Sequence, residues 1–170
     1  MQEAQEDVFL IALERNKNSI YRICRVYATI PLEPEDLFQE VVYNIWKSMP
    51  AFRHASNIDT WIYRITLNVC LRSKMKLEKG AGRSRRFDCI KFDPVAEPDS
   101  NLEEKSRNLY ACIAKLPDTE KSIILMFLED LPYREIASIT GLTENHVAVK
   151  MKRIRKKLFD CLTFKSYGNI

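Results

Sequence analysis

The sequence predicts an all-α protein: two small helical domains joined by a flexible linker, the second a helix-turn-helix domain. Three observations carry this. Apolar residues recur at helical spacing along nearly all of its 170 residues. Glycine is scarce, 4 against 7 prolines, which leaves little material for the tight turns of a sandwich or barrel. Charge is segregated: Arg72 to Arg86 holds seven Lys/Arg and one acid, Phe87 to Glu104 six acids and one base, and six of the eight residues 150–157 are basic. Two basic blocks separated by an acidic stretch suggest two nucleic-acid surfaces joined by a linker. The expected domains are 1–79 and 102–170, with 80–101 as the linker.

The elements follow in order. Phe9, Leu13, Ile20, Ile23, Cys24 and Tyr27 recur at three, four and seven, which predicts a helix over about 6–28. Pro31 and Pro34 stop it, and Pro34 suits the first turn of the next helix, about 35–49. Glu35 and Asp36 lie near the positive end of that helix. It carries two apolar ladders: Leu37, Val41 and Ile45, and beside them Phe38, Val42 and Trp46. One stripe serves a core. The second reads either as a protein-binding face or as a helix buried on two sides. After the loop PAFRHASN, Ile58, Ile62, Ile65 and Val69 predict a third helix, capped by Asn57 or Asp59 and ending near Lys79. Residues 80–101 hold prolines, acids and no sustained period, so they read as a flexible tether. Leu102, Leu109, Cys112, Ile113 and Leu116 make a helix stopped by Pro117. Asp118 should cap the next, 119–129, with Ile123, Ile124, Phe127 and Leu128 inward. A short helix from Pro132 to Thr140 follows, then Gly141, then a last helix capped by Thr143 and running to about Cys161.

Composition excludes several classes of function. A hydrophobic fraction of 46% suits a folded chain. No apolar run approaches the roughly 20 residues a bilayer needs, and the acidic start MQEAQED is unlike a signal peptide, so a cytoplasmic protein is expected. The five cysteines, 24, 70, 89, 112 and 161, are odd in number with no CxxC spacing. They read as reduced thiols, with neither a disulfide framework nor a zinc site expected. His54 and His146 are far apart and lack a companion at ligand spacing, so no metal is expected. There is no P-loop, HExxH or GxSxG, so neither a cofactor, nor a small-molecule substrate, nor catalysis is expected.

Residues 133–152, YREIASITGLTENHVAVKMK, hold the most specific local signal. Two closely crossing helices need a small residue in the first, here Ala137. Four residues on, the turn needs a backbone that tolerates positive φ, here Gly141. Six further, the branched Val147 pins the second helix, with Ile136 and Leu142 filling the core. Lys150 stands at a usual apolar position, so Met151 and Ile154 are expected to take over the packing. The run KMKRIRKKL then puts Met151, Ile154 and Leu158 inward and its six basic residues outward, toward phosphates.

The first half narrows the field. DLFQEVVYNIWKSM (36–49) and FRHASNIDTWIYRITLN (52–68) resemble regions 2.2 to 2.4 of bacterial sigma factors, and the last third resembles region 4. Chain length and the direct step between the two resemble the extracytoplasmic-function (ECF) group. The resemblance implies a promoter-recognition subunit of RNA polymerase that binds the −35 and −10 elements and promotes DNA melting. It implies docking on the β′ clamp helices through Asp36, Gln39, Glu40, Val42 and Trp46, with Trp46 open to a second reading as core of its own domain. It implies −10 contacts from Phe52, Arg53, Trp61, Arg64, Asn68 and Arg72, with Phe52 and Asn68 holding a flipped base. Trp61 and Tyr63 are also expected to pack the helix. The loop RHASN departs from the commoner RG-containing forms. For the −35 element it implies Thr143, Asn145, His146, Ala148, Val149, Lys150, Lys152, Arg153, Lys156 and Lys157. Ala148 and Val149 would meet thymine methyls, Lys152 and Arg153 guanine or phosphate, and Lys156 and Lys157 phosphate; much of the readout would be of DNA shape. The β flap and an anti-sigma factor are further implied partners, and the acidic linker would thread near the polymerase active-site channel. The competing reading is a dimeric helix-turn-helix regulator that does not dock on polymerase.

Overall fold

A computed structural model describes residues 2–53, 56–80 and 100–167. The chain divides into two compact units, Met1–Asp88 and Cys89–Ile170. Regular elements among the described residues are helical: α1 (Gln2–Tyr27), α2 (Pro34–Ser48), a 3-10 turn (Met49–Ala51), α3 (Ile58–Gly80), α4 (Ser100–Ile113), α5 (Asp118–Leu128), α6 (Tyr133–Thr140) and α7 (Glu144–Tyr167). The number and order of α-helices are those the periodicity predicts. The expected tether runs 80–101; Gly80 ends α3 and Ser100 and Asn101 open α4, while 81–99 lie outside the described residues.

In the first unit α1, α2 and α3 pack mutually. The core is Ile20, Ile23, Cys24 and Tyr27 from α1, the ladder Leu37, Val41 and Ile45 from α2, and Ile62, Leu67, Val69 and Cys70 from α3, all buried. Pro34 stands in the first turn of α2 as expected. Asn57 caps α3: its carbonyl accepts the first intrahelical bond from Trp61 N–H at 3.1 Å, and its Oδ1 accepts Asp59 N–H at 3.1 Å. The other capping candidate, Asp59, points instead at α1. Cys24 and Cys70 meet in this core, where their mutual hydrogen bond and then burial push the Cys70 thiol well above its ordinary pKa. Both are free thiols.

In the second unit α5 is central, packed on α6 and α7, and α4 closes on α7. Residues 121–126 of α5 are all buried. Of the inward set expected there, Ile123 and Ile124 are buried, Phe127 is half-buried and Leu128 is exposed; Leu125 and Met126 fill the core in their place. A helix enclosed on most sides has no single inward stripe. Asp118 does not cap α5. Pro117 holds the cap position, and Asp118 lies in the first turn, where it favours the positive helix end and stands 3.7 Å from Lys121. Helix α4 ends at Ile113 rather than Leu116; the chain tightens through i→i+3 bonds at Lys115 and Leu116 ahead of Pro117, which disfavours helical backbone in the residue before it.

The cysteines bring a larger correction. Cys112 on α4 and Cys161 on α7 are joined by a disulfide, with Cα atoms 6.1 Å apart and 49 residues apart in sequence. The sequence reading expected reduced thiols. No spacing motif announces such a pair, because the proximity is made by packing α4 on α7.

Candidate functional site

Helix α2 in the first unit presents the Leu37 ladder to the core and the adjacent ladder outward. Phe38 and Val42 are half-buried, and Trp46 is 43% exposed with its ring edge-on to Phe9 of α1 at 5.0 Å. Phe9, Phe38, Gln39, Val42, Tyr43 and Trp46 line an open, almost wholly apolar groove of about 340 Å³. The choice left open by periodicity is thus decided: the helix is buried on one side and grooved on the other. Asp36 and Gln39 are exposed at this surface. Glu40 has a different setting, since it accepts a hydrogen bond from the buried Ser73 of α3 at 3.2 Å. At the head of α2, Tyr21 Oη–H donates to Glu35 at 2.6 Å; that bond holds the Glu35 carboxyl below its usual range and raises the Tyr21 phenol.

The segment after α2 places Phe52 against Trp61, ring centroids 5.0 Å apart. Phe52 closes the 3-10 turn through its N–H to Met49 carbonyl at 3.0 Å, and Trp61 sits in the first turns of α3. Tyr63 is buried, so its part is structural, while Trp61 is half-buried. Arg53, Arg64, Asn68 and Arg72 are exposed, the last three on one face of α3 at four-residue spacing. His54 and Ala55 lie outside the described residues.

The second unit forms the predicted helix-turn-helix from α6 and α7. Ala137 and Val147 are buried at their crossing, with Ile136 beside them, and Leu142 is half-buried rather than core. Gly141 adopts φ +73°, and beyond its chain neighbours no heavy atom lies within 4 Å of where a Cβ would stand. The turn therefore needs glycine for the sign of its backbone rotation rather than for space. Thr143 caps α7: its Oγ1 accepts His146 N–H at 3.2 Å and its carbonyl accepts Val147 N–H at 3.0 Å.

Met151, Ile154 and Leu158 are buried, as expected. Asn145, His146, Ala148, Val149, Lys152, Arg153 and Lys156 are exposed along α7, and Lys150 is half-buried. Two basic residues are engaged within the unit. Lys157 Nζ donates to both Glu120 oxygens on α5 at 2.8 Å, and the Arg155 guanidinium lies 5.0 Å from the Phe127 ring centre. Sequence reasoning missed these two; Glu120 and Phe127 stand about two helical turns apart on α5, but only tertiary packing pairs them with α7. Among the described residues no cluster of three or more His, Cys, Asp or Glu could hold a metal ion. No helix among them is long and apolar enough to cross a membrane.

Family comparisons agree with this geometry. Residues 12–79 match the model of sigma-70 region 2, and residues 106–158 match that of sigma-70 region 4. Together the two span more than two-thirds of the chain. The chain is similar to RNA polymerase sigma factor SigV of Bacillus subtilis (28% identical over 142 residues, 83% of this chain and 82% of that protein). It is also similar to the ECF sigma factor SigW of the same organism (24% over 169 residues, covering 93% and 90%). Among solved structures, the sigma factor RpoE of Bartonella quintana, in complex with the anti-sigma factor NepR, shares the fold with a TM-score of 0.75 at 16% identity, covering 96% of this chain and 98% of that one. CnrH, in complex with the cytosolic domain of CnrY, shares it with a TM-score of 0.66 at 18% identity, covering 93% and 89%.

The chain belongs to the sigma-70 family. Its type is that of the ECF sigma factors: a non-enzymatic transcription initiation factor that works through regions 2 and 4 with RNA polymerase and promoter DNA. A dimeric regulator that does not dock on polymerase is set aside, because the first half matches region 2.

Proposed function

We propose a division of labour along the chain: 1–79 docks on polymerase and opens the −10 element, 102–170 reads the −35 element, and 80–101 tethers them. The observation that carries the docking reading is the open apolar groove on α2 beside exposed Asp36. An apolar groove on a helix that also exposes an acid fits an apolar, basic partner such as the β′ clamp helices. Trp46 is the anchor of that interface, with Gln39 and Val42 beside it and with Asp36 and Glu40 on the exposed polar side of the same helix. Glu40 acts from a carboxylate already tied to Ser73.

On the DNA, Phe52 and Asn68 hold the base that leaves the −10 stack, with Trp61 packed behind Phe52. Arg53, Arg64 and Arg72 follow the backbone. In α7, Thr143, Asn145, His146, Ala148, Val149, Lys152 and Arg153 face the −35 groove, and Lys150, Lys156 and Lys157 meet phosphates. The β flap holds the second domain. An anti-sigma factor is a further partner, supported by the Bartonella complex, and the place of action is the cytoplasm. The test is co-purification with core polymerase followed by transcription from a promoter library. A two-element promoter enriched only when the protein is present is the expected outcome; binding to DNA without polymerase and no enrichment would overturn the reading.

A further inference from the structure

We propose that Arg15 and Asn16 of α1, acting on Asp59, are positioning residues that set the Phe52–Trp61 pair for promoter opening. This rests on the reading of Phe52 as a −10 residue.

The two rings come from different elements. Phe52 belongs to the turn that ends α2, and Trp61 to the start of α3. Their 5.0 Å spacing therefore depends on where the N-terminal turn of α3 is held. Asp59 sits in that turn and carries both tethers. Its Oδ1 accepts hydrogen bonds from Arg15 Nη2–H at 2.6 Å and Asn16 Nδ2–H at 2.7 Å. Asn16 is 4% exposed, and the same amide nitrogen donates to Ala12 carbonyl at 2.9 Å, so its orientation is fixed from within α1. The main chain carries the constraint onward. Asp59 N–H bonds to Asn57 Oδ1, and Trp61 N–H bonds to Asn57 carbonyl. A buried amide, a shared carboxylate oxygen and a helix cap thus form one path from α1 to Trp61.

A cap alone would stabilise α3, and the burial of Thr60 and Ile62 would hold it on the core, but neither ties its first turn to a fixed point on α1 by hydrogen bonds. An acid in the first turn also favours the helix end by itself. None of these roles needs Arg15 or Asn16. The α1 tether does something different: it fixes the packing of Trp61 behind Phe52, the ring that must receive an unstacked base.

The experiment compares full-length Arg15→Ala, Asp59→Ala and Asp59→Asn with the parent and with Phe52→Ala, each bound to core polymerase. Open-complex formation is read by permanganate reactivity on duplex and on pre-melted −10 promoters; −35 binding and near-ultraviolet circular dichroism are read alongside. Loss of a partner to a buried amide predicts that Asp59→Ala opens duplex DNA roughly tenfold less. Pre-melted DNA should restore most of the signal, with −35 binding unchanged and the aromatic dichroism altered. Asp59→Asn, which keeps an acceptor for Asn16, should recover most of the opening. Arg15→Ala leaves the α3 turn intact and should show a smaller loss of the same kind. If Phe52→Ala is defective while Asp59→Ala and Arg15→Ala open duplex DNA like the parent, the positioning role is wrong and the −10 reading stands. If Phe52→Ala itself opens normally, the −10 reading fails. A loss of opening and −35 binding in equal measure would make Asp59 a general stability residue and overturn the proposal.

Discussion

Reducing the Cys112–Cys161 bond should destabilise the second helical unit by about 4 kcal/mol. The bond ties residues 49 apart and so closes a loop that contains α5, α6 and most of α7, the whole helix-turn-helix included. For a loop of that length the chain-entropy relation gives about 14 cal/mol/K, hence about 4 kcal/mol near room temperature. A unit of this size has on the order of 3–10 kcal/mol of total stability. Reduction therefore removes much of what keeps the helix-turn-helix folded, and with m of about 1–2 kcal/mol/M the urea midpoint should fall by about 2–4 M. The chain supplies its own control. Its two tryptophans, Trp46 and Trp61, both lie in the first unit. Tryptophan fluorescence should thus give the same unfolding curve with and without reductant. Far-ultraviolet circular dichroism, which sees both units, should show one transition move. The oxidised, denatured chain should also titrate two fewer thiols than the reduced one. Coincident dichroism transitions for the two forms would refute the loop-entropy reasoning, and a shift shared equally by the fluorescence would place the effect outside the second unit.

The remaining predictions concern docking, DNA contact and the turns. Asp36→Ala with Gln39→Ala should weaken core-polymerase binding in a pull-down while leaving helicity unchanged; parent-like binding would reject the α2 interface. Replacing Lys156 with Ala should lower the salt slope of DNA binding by roughly one unit. Lys157→Ala should do less, because Lys157 must first leave its bidentate pair with Glu120; Arg153→Ala should cost about 1–3 kcal/mol on the preferred −35 element and less on a scrambled one. Titrations of these three against both DNAs at several salt concentrations check the order. Asp130 has φ 61° in the link between α5 and α6, where its N–H bonds to Phe127 carbonyl and Leu131 N–H to Met126 carbonyl. Asp130→Gly should therefore stabilise by roughly 0.5 kcal/mol, whereas Gly141→Ala should destabilise by about 1–2 kcal/mol, both read by thermal melting.

Much of this protein is settled by local rules that a sequence displays directly. The positions of the α-helices follow from apolar spacing, and Pro34, Asn57, Gly141 and Thr143 punctuate them as their backbone and capping chemistry requires. The helix-turn-helix was legible because its constraints act within about 20 residues: a small residue at the crossing, a positive φ at the turn, a branched side chain at the pin. The inward set Met151, Ile154 and Leu158 was legible for the same reason, since one helix has one period. Where several helices enclose another, that reasoning loses its hold, and α5 buried Leu125 and Met126 while leaving Leu128 exposed. What remained illegible depends on groups that meet only after packing. Two ladders on α2 look alike in sequence, and the position of α1 decides that one is core and the other a groove. Cys112 finds Cys161, Lys157 finds Glu120, Glu40 finds Ser73, and Asp59 finds Arg15 and Asn16 across separations no motif spans. Spacing along a chain specifies which face a side chain takes, but its partner is chosen by the three-dimensional packing of helices that are far apart in sequence.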